Sequence, residues 1–327
     1  MDHHIGVDVG GTAIKACIAD ASGAIVTEME QPTGAERPQD VVLQDIVAVV
    51  RQLLADPAGR DVRAVGVGCP GAVLPDEGLV LYNNNLDWRD FPLGPLMREA
   101  LGLPVRVEND ANVAALGEVV AGSAKGASSA AVITLGTGVG FGLIIDGAIW
   151  TGHNGAASEF GHMVIVKGGR ACTCGRRGCL EAYASATGLI AMTEDAIAAH
   201  PRGAMAMMAR REGRVGGHTA FVAAKMGDAA AVAVVEEYID CLACGVANII
   251  DGLQPEVVSI GGGVSRQGEA LLAPLREKVA MEVYAGLQRT ERATRIVACT
   301  LGHRAGLVGA AMAAAHMMAG TLDDARP

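Results

Sequence analysis

Apolar and polar positions at the start of the chain fall into three short runs, HIGVDV (4–9), AIKACIAD (13–20) and AIVTEME (24–30), separated by Gly10-Gly11 and Ser22-Gly23. Such runs between turn residues predict strands, here an antiparallel meander. The period changes over residues 40–55 (DVVLQDIVAVVRQLLA), whose apolar positions recur at helical spacing and stop before Pro57-Ala58-Gly59. A strand over DVRAVGVGC from Asp61, a loop around Asn83-Asn84-Asn85-Leu86-Asp87-Trp88, a helix after Pro92 and a strand VRVEN (105–109) follow. Asp110 then opens a helix, ANVAALGEVVAG.

The second half repeats the opening theme as AAVITLG, a turn through Thr137-Gly138, and VGFGLIIDG. A glycine-rich insertion from Gly152 to Gly178 interrupts it and leads into helical segments, the longest from Asp228, a candidate N-cap, to about Gly252. Strand EVVSI, the triplet Gly261-Gly262-Gly263, another helix, strand RIVAC and an alanine-rich helix from about Ala305 to Met318 complete the pattern. The tail TLDDARP has little to bury and is expected to be mobile.

Composition narrows what this α/β pattern can do. At 327 residues the chain exceeds the roughly 250 at which one core stops growing, which favours two domains or one split by a cleft. Aromatics are 3% of residues while glycines number 44, so the core is aliphatic and the backbone makes many close turns suited to binding phosphate. A net charge of -10 argues against broad contact with nucleic acid or anionic lipid, because neutralising phosphates takes clustered Lys and Arg. There is no apolar run of membrane length and no basic-then-apolar leader, which leads us to expect a cytoplasmic protein.

The glycine turns do not form a dinucleotide fingerprint. Gly136 to Gly140 reads GTGVG but precedes the strand-like FGLIIDG, where that fingerprint requires a helix. No G-x-x-x-x-G-K-[ST] occurs either. What remains is two strand-turn-strand hairpins, around Gly10, Gly11 and Thr12 and around Gly136, Thr137 and Gly138, whose N–H groups and hydroxyls could clasp a polyphosphate. Asp8 suits a phosphate site only through a cation such as Mg²⁺. Lys15 either neutralises phosphate or sits solvated on its hairpin. Gly261, Gly262 and Gly263, after a strand, would face a ligand cleft or form an ordinary turn.

Asp110, at a strand end and a helix start, is read as an N-cap, as a general base facing a substrate hydroxyl steadied by Asn109, or as both. The densest chemistry lies in Glu159-Phe-Gly-His162 and Cys172-Thr-Cys174-Gly175-Arg-Arg-Gly178-Cys179-Leu-Glu181. With 8 cysteines in the chain, about 0.2 is expected in any eight-residue window, yet three fall in this one. His162, Cys172, Cys174 and Cys179 complete a tetrahedral Zn²⁺ set with no position left for a catalytic water, so the metal would be structural. Glu159 and Glu181 bracket it and could accept hydrogen bonds from a polyol, with His162 donating from its second ring nitrogen and Asn85 adding a further contact. Cys241 and Cys244 also make a CxxC, but in a helical apolar stretch they read as small core residues.

These motifs together resemble the ROK family (repressors, open reading frames, kinases) of the actin-like sugar kinase superfamily, and within it the bacterial glucokinases. The resemblance rests on Asp8-Val-Gly-Gly-Thr12 with Lys15, Asn85-Leu86, Glu108-Asn109-Asp110-Ala111-Asn112, Gly136-Thr-Gly-Val-Gly140, Glu159-Phe-Gly-His162, the C-x-C-G-x-x-G-C-x-E run from Cys172 to Glu181, and Ile260-Gly-Gly-Gly263. It implies a two-domain actin-like (ribonuclease H-like) α/β fold with a cleft between the domains and a zinc-stabilised loop. The small domain would comprise residues 1–110, with the C-terminal helix about 305–320 packing back on it. The large one would comprise 111–304, including the zinc loop 159–181. The implied activity is ATP-dependent phosphorylation of a hexose 6-hydroxyl, with Asp110 as base. Asn85, Asn109, Glu159, His162 and Glu181 would hold the sugar. The hairpins would flank the ATP phosphates, with Asp8 near Mg²⁺ and Gly261 to Gly263 near adenosine. Family members commonly form dimers, which implies a homodimer here.

Substrate choice stays open at this stage. Kinases for N-acetylglucosamine, N-acetylmannosamine, fructose and allose resemble glucokinases at the same positions, and Gly71, Asn85 and the flanking loops would decide whether an acetamido group fits. The family's repressors carry a DNA-binding segment ahead of the first hairpin, whereas only seven residues precede Asp8 here. A non-catalytic sugar sensor is the remaining alternative, against which the retention of Asp110 and both hairpins weighs.

Overall fold

The computed structural model describes residues 2–83 and 85–320. Asn84 of the asparagine-rich loop and the tail 321–327 lie outside the described residues.

In chain order the strands and helices are β1 (His3–Val9), β2 (Ala13–Ala19), β3 (Ile25–Pro32), α1 (Gln39–Ala55), β4 (Val62–Cys69), β5 (Ala72–Leu74), β6 (Leu79–Asn83), β7 (Trp88–Phe91), α2 (Leu93–Leu101), β8 (Val105–Asn109) and α3 (Asp110–Ala121). They continue with β9 (Ala130–Leu135), β10 (Val139–Ile145), β11 (Ala148–Ile149), α4 (Glu181–Ala184), α5 (Ala186–Ala199), α6 (Ala204–Glu212), α7 (Thr219–Lys225), α8 (Ala229–Leu253), β12 (Val257–Gly261), α9 (Glu269–Glu282), β13 (Arg295–Ala298) and α10 (Ala305–Ala319). The expected meander is present as β1–β2–β3, antiparallel throughout. Asp228 caps α8 as expected, its side chain accepting from Ala230 and Ala231 N–H. The loop read from Asn83 to Trp88 is the connection between β6 and β7, whose strands the sequence reading did not include. There β5, β6 and β7 make a small antiparallel sheet, and Trp88 packs on Phe91 with ring centroids 4.7 Å apart.

The chain divides into two compact units. The first comprises Met1–Val132, Gly142–Ser158 and Cys299–Pro327, and the second Ile133–Phe141 and Glu159–Ala298. The first is built on a five-stranded sheet of order β3-β2-β1-β4-β8, with β4 parallel to both β1 and β8. Its core is aliphatic, as composition required, with Ile5, Val7, Ile14, Val65, Val67 and Val107 nearly or wholly buried. Helix α10 packs against β1, β4 and α3 in this unit. It lies unusually close: a Cβ on Gly66 of β4 would run into the Ala310 backbone, and one on Gly309 into the Val113 carbonyl. That close approach explains why α10 is written in alanine and glycine.

A second five-stranded sheet has the order β11-β10-β9-β12-β13. The unit boundary cuts through β9 and β10, each of which gives one end to each unit. The second unit holds the parallel pair β12–β13, the segment 159–181 and helices α4 to α9, with α8 packed on α7 and α9. Cys241 and Cys244 prove half-buried on α8 and not core residues. Among the described residues no helix is long and apolar enough to cross a membrane.

Candidate active site and metal centre

In the first unit the parallel register sets Asp8 beside Gly68, and Cys69 beside Asn109, so β1, β4 and β8 end together. Ligand crevices of α/β sheets form at such carboxyl ends. Lys15 pairs directly across from Asp8 on β2. Desolvation, and then the negative charge of Asp110, push the Asp8 carboxyl up to about 6, with Lys15 pulling the other way. Desolvation likewise raises Asp110, partly offset by the Ala111 N–H that donates to its Oδ1 at 3.0 Å. Two neighbouring carboxylates whose charges oppose each other form a donor set suited to a hard cation such as Mg²⁺.

The cap of α3 is Asn109, not Asp110. Its Oδ1 accepts from Ala111 N–H (2.8 Å) and Asn112 N–H (3.2 Å), and its Nδ2 donates to the Gly71 carbonyl at 3.0 Å. Asp110, the first residue of the helix, is thereby relieved of capping. One amide hydrogen of Asn109 is used on Gly71, which leaves its second for a ligand.

Two residues that the sequence reading passed over shape this region. Buried Thr33 supports the first hairpin, donating from Oγ1 to the Gly10 carbonyl (2.6 Å) and from N–H to the Thr12 carbonyl (3.1 Å). Buried Asn83 accepts from Asn85 N–H (2.9 Å) and Leu86 N–H (3.2 Å), an Asx turn that presents exposed Asn85 close to Gly11. The asparagine run carries that second signal, since Asn is a common turn residue.

The second unit holds the other hairpin. Gly136 accepts from Ala186 N–H (2.8 Å), the Thr137 carbonyl from Thr187 Oγ1 (2.8 Å), and Val139 N–H donates to Glu181 Oε2 (3.0 Å). Gly262, at φ +84°, lies against β9 so closely that a Cβ would meet the Leu135 backbone. The triplet Gly261 to Gly263 therefore sits beside the strand that enters this hairpin.

His162, Cys172, Cys174 and Cys179 converge, their ligand atoms all within 4.8 Å of one another. Cys172 Sγ lies 3.6 Å from His162 Nδ1, and Cys174 Sγ lies 3.7 Å from Cys179 Sγ. Arms of about 2.3 Å give a tetrahedron with edges of about 3.8 Å, so the set fits Zn²⁺. Burial and then the two adjacent thiols push Cys179 up to about 12, a cost that a bound dication removes. The loop is folded on its own backbone through Cys172 N–H to Arg176 O (2.9 Å), Gly175 N–H to Cys172 O (3.0 Å) and Leu180 N–H to Met163 O (2.8 Å). With Nδ1 turned to Cys172 Sγ, the Nε2 of His162 is left for another partner. Exposed Glu159 stands one turn before it, its carbonyl accepting His162 N–H at 3.0 Å.

Residues 4–317 match the family model described as ROK family. The chain is 38% identical to a glucokinase of Halalkalibacterium halodurans, over 94% of this chain and 93% of that protein. Its fold is similar to a ROK family glucokinase from Streptomyces griseus in complex with glucose and AMPPNP, with TM-score 0.79, 36% identity and coverage of 96% of this chain and 99% of that one. A ROK hexokinase from Thermus thermophilus superposes with TM-score 0.82 at 31% identity, covering 97% and 99% of the two chains.

Proposed function

The chain belongs to the ROK family, and on that premise we propose that it is an ATP-dependent glucokinase, transferring the γ-phosphoryl group to the 6-hydroxyl of glucose. The observation that carries the reading is Asp110: a desolvated carboxylate with a raised pKa, freed from capping by Asn109, in a chain 36% identical to a glucokinase bound to glucose and AMPPNP. Phosphoryl transfer asks the protein mainly for positioning and neutralisation of charge. Asp110 takes the hydroxyl proton as the oxygen attacks the γ-phosphorus and the bond to the departing ADP breaks, and its raised pKa brings it nearer to neutrality, where a general base works best.

Asn85, Asn109, Glu159, His162 and Glu181 hold the sugar hydroxyls. The N–H groups of Gly11 and Thr12, with Lys15, and those of Thr137 and Gly138 receive the ATP phosphates, in turns that Gly10 and Gly136 close by donating to the Ala13 and Gly138 carbonyls, and Gly261, Gly262 and Gly263 border the adenosine. Asp8 holds Mg²⁺, which when bound neutralises phosphate charge. Zn²⁺ on His162, Cys172, Cys174 and Cys179 is structural, orienting His162 toward the sugar. We further take the enzyme to be a cytoplasmic homodimer.

The test is a coupled ADP-release assay with ATP and Mg²⁺ against glucose, N-acetylglucosamine, N-acetylmannosamine, fructose, mannose and allose. Fastest turnover with glucose is expected. A higher kcat/KM for another hexose would reassign the substrate, and sugar binding without any turnover would reject the enzyme.

A further inference from the structure

The second hairpin has no acidic or basic side chain between Gly136 and Gly140, and among the described residues its turn is hydrogen-bonded to one short segment that begins at the last residue of the metal loop. Glu181, two residues after the ligand Cys179, accepts Val139 N–H at 3.0 Å through Oε2. Through Oε1 the same carboxylate accepts Thr173 Oγ1 at 3.2 Å, from between two metal ligands. It also packs so tightly under the turn that a Cβ on Gly138 would collide with it. Thr187 Oγ1 holds the Thr137 carbonyl at 2.8 Å.

We propose that Glu181 and Thr187 are positioning residues that preset the Gly136–Gly140 hairpin for nucleotide phosphate, so that the metal loop governs nucleotide affinity as well as sugar binding. The inference rests on the reading that this hairpin receives ATP. A phosphate turn needs its N–H groups aimed before the anion arrives, because ordering them on binding subtracts from affinity. Fixing Val139 N–H and the Thr137 carbonyl holds the backbone of the turn in one conformation. Electrostatics alone predicts the opposite sign for Glu181, since a carboxylate beside a phosphate site repels the ligand.

Nucleotide affinity is therefore measured calorimetrically with AMPPNP and Mg²⁺, in zinc-loaded protein with no sugar present. Glu181→Ala is expected to weaken binding about tenfold, as loss of a hydrogen bond to a charged group implies. Glu181→Gln, which still offers an oxygen to Val139 N–H, is expected to stay within about twofold. Thr187→Val is expected to weaken binding about threefold and Thr187→Ser to restore it. Unchanged or tighter binding in Glu181→Ala would overturn the proposal in favour of a sugar contact alone. If Glu181→Ala fails to fold, the Thr187 pair decides, and equal affinities of Thr187→Val and Thr187→Ser would overturn the proposal. Wild-type protein that binds no AMPPNP would instead reject the kinase reading on which the inference stands.

Discussion

The two glycine hairpins are near-synonyms in sequence and are held in opposite ways. The first is locally supported and charged: Asp8 and Lys15 face each other across its strands, Gly10 N–H donates to the Ala13 carbonyl at 2.9 Å, and Thr33 braces it from β3's exit. The second carries no charge of its own, and its brace arrives from residues 181–187, at the end of the metal loop. One hairpin is equipped to manage a cation, and the other is a backbone cradle whose shape depends on a distant loop. A shared motif thus specifies what a turn can bind without specifying what keeps it in shape.

The largest expected effect lies beside the first hairpin. Asp110→Ala should lower kcat by roughly a thousandfold, the scale of a lost general base, while sugar and AMPPNP affinities in calorimetry move far less. A residual rate within tenfold of wild type would show that Asp110 is not the base, and the functional division between the hairpins would lose its chemical anchor.

Removing the metal should act on one hairpin only. Stoichiometric zinc is expected in protein purified without chelator, and its loss, or Cys174→Ala, should lower the thermal midpoint by on the order of 5–10 °C. Hydrogen exchange should accelerate at Thr137 to Val139 and stay unchanged at Gly10 to Thr12. Equal acceleration in both would erase the contrast.

How much of this was legible in the sequence varies from one element to the next. The main strands and helices were, since period two and the helical period are local properties, and so was the metal set, whose four ligands lie within an 18-residue stretch. The β5–β6–β7 sheet was not: its strands are only three to five residues long, and β7 is flanked and interrupted by Asp87 and Asp90 at positive φ. Asn109 and Asp110 are both good caps by type. Only the extended backbone at Asn109 (φ -65°, ψ 145°) decides between them. The Glu181–Val139 bond spans 42 residues and has no local signature.

The pH response should single out the first hairpin. Asp8 titrates at about 6 in the folded protein against 3.8 as an ordinary carboxyl. Between those values the folded state binds more protons than the unfolded one, so stability contributed here is present at low pH and is lost as pH rises through about 6. In metal-free protein, Asp8→Asn should therefore raise stability at pH 7 by on the order of 1–3 kcal/mol and flatten its fall between pH 4 and 6. The same variant should lose Mg²⁺-dependent turnover. Denaturant melts of both proteins across that pH range read the sign directly, and a less stable Asp8→Asn at pH 7 would contradict it.

The smallest effect separates the glycines themselves. Gly138 has no room for a side chain because Glu181 fills the space. At Gly11 an added Cβ would sit 3.5 Å from Asn85 Cβ, an ordinary contact, and its φ is not positive. The fold therefore gives Gly11 no reason to be glycine. What remains is close approach of a ligand to its backbone, the other circumstance in which glycine is required. Gly11→Ala should then leave stability within about 0.5 kcal/mol of wild type in a denaturant melt, yet raise the KM for ATP several-fold. Gly138→Ala should lower the melting midpoint and raise that KM together. If Gly11→Ala left the KM for ATP untouched, phosphate would not approach the first turn, and the likeness of the two hairpins would be one of sequence alone.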